Sequence, residues 1–243
     1  MTAEAGELGS VVPSLKAVMQ AQCEACSNML YQSSCFNHSS ERSDSRLHYL
    51  HLRQVMESYL LDLCHDDVFA WLKAQHRSFT LALAGVLEDM QELTMEDMGI
   101  NEKFRCDCSA AIERLEIIDT YRTPLEKVQC LRETTDLLTA AVEEHLETSE
   151  RDLSGVELST DDVLDLLLWV IVRSYPTSAH LLTHLTYIQR YHFVNSNTTI
   201  LGYTLANFQV AVNWLLSRAT EGVVMGADGM ARTDDDGAAA AGA

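Results

Sequence analysis

Ser159-Thr160-Asp161-Asp162-Val163-Leu164-Asp165-Leu166-Leu167-Leu168-Trp169-Val170-Ile171-Val172-Arg173 is the stretch that decides the fold. It opens on two hydroxyls, either of which can cap a helix, and places acids in the first turn, where they offset the helix dipole. Pro176 marks the end, because the residue before a proline is pushed out of helical geometry. The apolar run 166–172 is bounded by Asp165 and Arg173 and is far shorter than the ~20 residues that a membrane span requires. It therefore predicts a helix buried inside a folded core.

Working outward, the flanks keep a helical period. Downstream, Thr177 can cap a helix carrying Leu181, Leu185 and Ile188. A polar loop over 195–199 then precedes Gly202-Tyr203 and a last helix with Leu205, Phe208, Val212 and Leu215 on one side. Upstream, Thr123-Pro124-Leu125-Glu126 supplies a cap, a proline at the first helical position and a glutamate at the third. Val128, Leu131, Leu138, Val142 and Leu146 continue that helix, and Ile112, Leu115 and Ile118 mark one before it. The acidic stretch 143–152 leads into a loop containing Gly155.

Further upstream, Leu52, Val55, Met56, Tyr59, Leu60 and Leu63 form an apolar stripe at helical spacing. Phe79, Leu83, Val86, Leu87, Met90 and Leu93 repeat it, with Gly99 as a plausible stop. With a shorter helix around 68–72, these read as a small bundle. The expected fold is all-α: a weakly structured segment over 1–46, a helical bundle over 47–105 and a helical core over 106–219. Residues 14–30 suggest the only helix of the first segment. A Gly-, Ala- and Asp-rich tail over 220–243 has too little apolar content to offset its ordering entropy and is expected to be disordered.

Composition narrows function. Only 3 prolines interrupt the 243 residues, and 47% are hydrophobic, enough for a sizeable helical core. The formal net charge of −19 repels phosphate backbones and anionic lipid, which argues against nucleic-acid binding and polybasic membrane attachment. It suits a partner that offers a basic or cation-containing site. The 7 cysteines show no paired framework, and no secretory signal is visible, so the expectation is a reducing, cytoplasmic setting with mostly free thiols.

Most motifs carry a bland reading. His180 and His184 stand one turn apart, but the intervening Leu-Leu-Thr lacks a zincin glutamate, so they read as a polar helix face. Cys23, Cys26, Cys35 and His38 resemble a zinc knuckle without matching its spacing. Cys106 and Cys108 lack the two-residue redox spacing and read as buried or idle thiols. No phosphate loop or nucleophile elbow occurs, so no metal, cofactor or covalent chemistry is expected. On spacing alone Asp161 and Asp162 are ordinary first-turn acids, offsetting the helix dipole by about 0.3–1 kcal/mol.

Four blocks change that balance: Thr123-Pro124-Leu125-Glu126-Lys127-Val128, Ser159-Thr160-Asp161-Asp162-Val163-Leu164, Tyr187-Ile188-Gln189-Arg190-Tyr191 and Gly202-Tyr203. In order and spacing they resemble the Vps-nine (vacuolar protein sorting nine) domain, a layered helical exchange factor for the Rab-five group of endosomal GTPases. The likeness covers roughly residues 106–218. Upstream, the helix around 51–63, Met98-Gly99-Ile100 and Lys127-Val128-Gln129-Cys130-Leu131-Arg132 resemble the Varp-type branch, in which ankyrin repeats follow. No ankyrin repeats occur in this chain, which implies a fragment or a shortened relative.

By that resemblance, Asp161 is an acidic finger that displaces GDP, and Tyr203 contacts the switch region. Asp162, Asp165, Gly202, Ala206 and Asn207 join the binding surface. The partner is a Rab-five-group GTPase, which brings its own nucleotide and Mg²⁺. A recruiting protein would hold the chain at the endosome periphery. Three positions depart from the family pattern: Asp165 where proline is common, Ala206 where threonine is usual, and Ile200-Leu201 where an acid precedes the glycine. The alternatives are a GTPase-binding module with weak or no exchange activity, and a generic helical scaffold whose acidic face recruits a basic partner.

Overall fold

The computed structural model describes residues 14–33, 42–148, 158–192 and 200–229, and every regular element among them is helical. In chain order the α-helices are α1 (Leu15–Gln32), α2 (Arg42–Gln75), α3 (Arg77–Asp89), α4 (Ser109–Glu116), α5 (Pro124–Thr148), α6 (Thr160–Arg173), α7 (Leu181–Tyr191) and α8 (Ile200–Gly229). Short 3₁₀ turns occupy Glu102–Phe104, Ile117–Thr120 and Thr177–His180.

The decisive stretch is the buried centre. Leu166, Leu167, Leu168, Val170, Ile171 and Val172 of α6 are all buried, between the α4–α5 hairpin on one side and α8 on the other. Removing such side chains from water is worth roughly 1.5–3 kcal/mol each. A helix apolar nearly all round has no stable place except inside. The same core takes Leu115 and Ile118, then Val128, Leu131, Leu138 and Val142 of α5. It also takes Leu181, Leu185 and Ile188 of α7 and Phe208, Val212 and Leu215 of α8, as their spacing predicts.

Capping chemistry sets the helix starts. Ser14 caps α1, accepting from the amide of Ala17 at 3.2 Å. Thr123 and Glu126 exchange hydrogen bonds at the head of α5, and Ser159 and Asp162 do the same at α6. Each pair satisfies two helix-end donors reciprocally.

Helix α1 stands where residues 14–30 suggest a helix, and it packs along α2. The rest of the N-terminal half departs from expectation in three ways. The two helices expected before residue 75 are one 34-residue helix. The face of α2 is reversed: Val55, Tyr59 and Leu63 are exposed, whereas Glu57, Leu61, His65, Phe69 and Leu72 are buried. Glu57 and His65 hid the true stripe, because charged and titratable side chains look like surface until a partner is supplied. His192 Nδ1 lies 2.6 Å from Glu57 Oε1, and the His65 ring stacks on Phe69 at 5.0 Å.

Finally, α3 ends at Asp89, ten residues before Gly99. Gly99 closes a later turn at φ +78°, a conformation that favours glycine. Leu83, Leu87, Met90, Ile100 and Phe104 share the cluster that holds α4 to α8, so the chain from α3 onward packs around one core. At the other end, α8 begins at Ile200, so Gly202 and Tyr203 lie in its first turn rather than in a preceding loop. The helix continues past residue 220, and the rest of the expected tail, from 230, lies outside the described residues, as do Cys35, His38 and loop 195–199. None of the described helices is long and apolar enough to cross a membrane.

Candidate functional site

The site is a groove of about 360 Å³ where the start of α6, the middle of α8 and the turn after α3 meet. Its apolar lining comes from Leu164 and Leu168 on α6, Val210 and Trp214 on α8, and Leu93 and Met98 on the turn. Val210 and Trp214 are 52% and 40% exposed, high values for residues this apolar. Around them stand Asp97, Asp161, Asp165 and one cation, Arg218. The Arg218 guanidinium lies 5.0 Å from the centre of the Trp214 ring, so it covers the indole as well as adding charge. Three carboxylates against one guanidinium leave the groove acidic over an apolar floor.

Asp161 owes its position to the cap. Ser159 Oγ accepts from the Asp162 amide at 3.2 Å, and the Asp162 carboxylate accepts from the Ser159 amide at 3.1 Å and from its hydroxyl. The box uses up Asp162, which does not line the groove. Asp161, one residue earlier, is exposed and lines the groove from the end of a rigid helix. Asp165 follows one turn later on the same wall. Partial burial, then the charges of Asp162 and Asp161, push its carboxyl up from the ordinary 3.8. Two like charges at i and i+4 repel by about 0.2–0.5 kcal/mol.

The opposite wall is anchored from beneath. Arg173, at the end of α6, donates to the carbonyls of Gln91 at 2.7 Å and Leu93 at 3.0 Å, and Gln91 donates back to the carbonyl of Val172 at 2.7 Å. Asp97 accepts from the Thr94 amide and hydroxyl at 2.8 and 2.6 Å, which folds the turn that presents Met98. Helix α6 therefore supplies both the Asp161 wall and the anchor of the wall facing it.

The remaining predicted residues sit along α8. Tyr203 is 53% exposed, and the spacing of seven places it on the face that carries Val210. Gly202 is half-buried and Ala206 exposed. Asn207 is buried, and its Nδ2 has no hydrogen-bond partner among the described residues. Sequence patterns gave Trp214, Val210, Leu168 and Met98 no part in a site. A signal existed: Val210 and Trp214 lie off the stripe of Phe208, Val212 and Leu215, so that helix carries apolar residues its core does not need.

Histidine 184 is not on a polar face. It is fully buried, with Nε2 2.9 Å from Asp119 Oδ1 but off the line that a hydrogen bond needs, and the Phe69 ring 4.9 Å away. Burial pulls the imidazole down to about 4, and the ring nitrogen beside Asp119 holds that carboxyl to about 2. Lys127 is also wholly buried, donating to the carbonyl of Ile118 at 3.0 Å with its ammonium 4.8 Å from the Phe69 ring centre. Burial lowers it to about 8. This knot ties α2, α5 and α7 together. Among the described residues, no three His, Cys, Asp or Glu side chains gather as a metal site would require.

Residues 108–219 match the family model of the Vacuolar sorting protein 9 (VPS9) domain. The match takes in the α6 and α8 walls of the groove, and the α3 turn that completes it lies upstream of the matched residues.

Proposed function

We propose that the VPS9 domain of this chain is a guanine-nucleotide exchange factor for a Rab GTPase of the Rab-five group, with Asp161 as its acidic finger. The observation that carries this reading is the placement of Asp161, exposed at the head of a buried helix and opening on an acidic, apolar-floored groove. A GTPase holds GDP through Mg²⁺ and a phosphate-binding lysine. A carboxylate brought into that site competes with phosphate for the lysine and disfavours the metal. At an effective dielectric of 20, opposite unit charges about 4 Å apart attract by about 4 kcal/mol. Each ~1.4 kcal/mol taken off the barrier to GDP release is a tenfold gain in rate.

The surrounding residues divide the remaining work. Val210 and Trp214 take the apolar part of the displaced switch region, and Tyr203, farther along the same face, adds area and a hydroxyl. Gly202 lets the partner approach that first turn closely, and exposed Ala206 extends the surface, with buried Asn207 beneath it. The chain makes no covalent bond and needs no cofactor of its own, since nucleotide and metal arrive with the GTPase. It works in the cytoplasm, at the endosome periphery, brought there by another protein rather than by inserting into lipid. The likeness to the Varp-type branch is part of this proposal.

Asp165 favours a second reading, a module that binds the GTPase with little exchange. It places a second acid in the groove, where it competes with Asp161 for the same lysine. Fluorescent-GDP release from purified Rab-five-group GTPases separates the readings. Faster release in the presence of the protein supports exchange. Binding without acceleration supports the second reading, and no binding to any member leaves only a scaffold.

A further inference from the structure

An open groove of about 480 Å³ runs between the start of α4 and the second half of α5. Cys106 lines it, with Asp107, Ser109, Leu137 and His145. Directly behind lies Cys108, 3% exposed, its sulfur 3.9 Å from that of Cys106 and 3.6 Å from the carbonyl oxygen of Cys106. One thiol is thus reachable from solvent and its neighbour in space is sheltered. We propose that Cys106 and Cys108 are a redox modification site, closed to an intramolecular disulfide by exchange with a small-molecule disulfide such as oxidised glutathione.

Geometry permits closure. Residues two apart in the chain keep their Cα atoms within about 7 Å, close to the upper end of the ~4.4–6.8 Å that disulfides ordinarily span. The sulfurs must approach from 3.9 Å to about 2.05 Å. Cys106 lies in a loop and Cys108 is the residue that caps α4, so side-chain rotation and a small loop adjustment suffice.

The two thiols also differ in the direction that the chemistry needs. Donation by the Cys108 thiol favours the thiolate at Cys106 and lowers its pKa, while that same partnership and burial raise Cys108. The Cys106 thiolate attacks one sulfur of oxidised glutathione, forming a mixed disulfide and expelling a glutathione thiolate. Cys106 is then no longer an anion next to Cys108. The Cys108 thiol gives up its proton, and its sulfur attacks Cys106 and expels the second glutathione. Two protein thiols are oxidised, and one glutathione disulfide is reduced to two thiols.

The test equilibrates the folded, fully reduced chain in graded mixtures of reduced and oxidised glutathione. Acid quenching, alkylation after unfolding, and peptide mass spectrometry follow. The expected result is that Cys106 and Cys108 lose alkylation together, with a mass lowered by two hydrogens and no glutathione attached. Exposed Cys64 serves as the comparison, and it becomes glutathionylated instead. In Cys108→Ser, or in Cys108→Ala if the serine destabilises the helix start, Cys106 accumulates as the glutathione adduct. The proposal is overturned if both thiols stay alkylatable across the range that modifies Cys64. Wild-type Cys106 stopping at the mixed disulfide overturns it equally.

Discussion

Replacing His184 with glutamine changes how stability responds to acid. In the folded chain this imidazole is wholly buried and held down to about 4, against 6.5 when free. Between those values the unfolded chain takes up a proton that the folded chain refuses, so stability falls as pH falls through that window. The difference is worth about 3 kcal/mol in full, and about 2 kcal/mol between roughly pH 7 and pH 4.5. Asp119, also depressed, adds a loss of the same sign at lower pH, because its carboxylate is the form that the fold favours. Glutamine keeps a polar group beside Asp119 but has no proton to take up. Urea unfolding at those two pH values then gives a wild-type stability loss about 2 kcal/mol larger than that of His184→Gln. Equal losses in the two proteins, whatever their absolute stabilities, would mean that the fold does not hold His184 neutral.

Three other outcomes follow from the groove. Arg173→Ala strips a donor from the carbonyls of Gln91 and Leu93 and is expected to cost about 1–3 kcal/mol. Amide exchange over 91–98 reports the loosened wall. Trp214→Ala changes stability by only about 1 kcal/mol, because the ring is 40% exposed, yet it weakens GTPase affinity by roughly 2 kcal/mol in a titration. Asp165→Asn removes the repulsion from Asp161 and stabilises the fold near neutral pH by a few tenths of a kcal/mol. Folded Asp165 takes up its proton at a higher pH than the unfolded chain does, so that advantage shrinks on acidification in a melting series. The same variant is expected to release GDP faster than wild type.

Much of the fold was legible because helices announce their ends and their core faces locally. Thr123-Pro124, Ser159 and the stripes of α5, α7 and α8 needed no knowledge of neighbours. Helix α2 was misread because the neighbours decide: it is packed from two sides, and Glu57 and His65 become interior only once His192 and Tyr187 are placed against them. The groove was legible in part. Asp161 stood out through resemblance, and its exposure follows from the cap that uses up Asp162. Leu93 and Met98 come into the site on a turn that Arg173 holds at the Leu93 carbonyl, a contact spanning about eighty residues that no local pattern encodes. The Cys106–Cys108 pair looked idle because spacing says nothing about which thiol faces a groove.

Asp161→Asn isolates the charge on which the proposed exchange depends. Asparagine keeps the size, the helix position and the Ser159–Asp162 cap, and removes only the charge. With a Rab-five-group GTPase loaded with fluorescent GDP, wild-type protein is expected to accelerate release. The variant is expected to lose at least tenfold in kcat/KM, equivalent to about 1.4 kcal/mol or more of barrier, with an unchanged melting temperature. If the asparagine variant releases GDP as fast as wild type, Asp161 is not the finger.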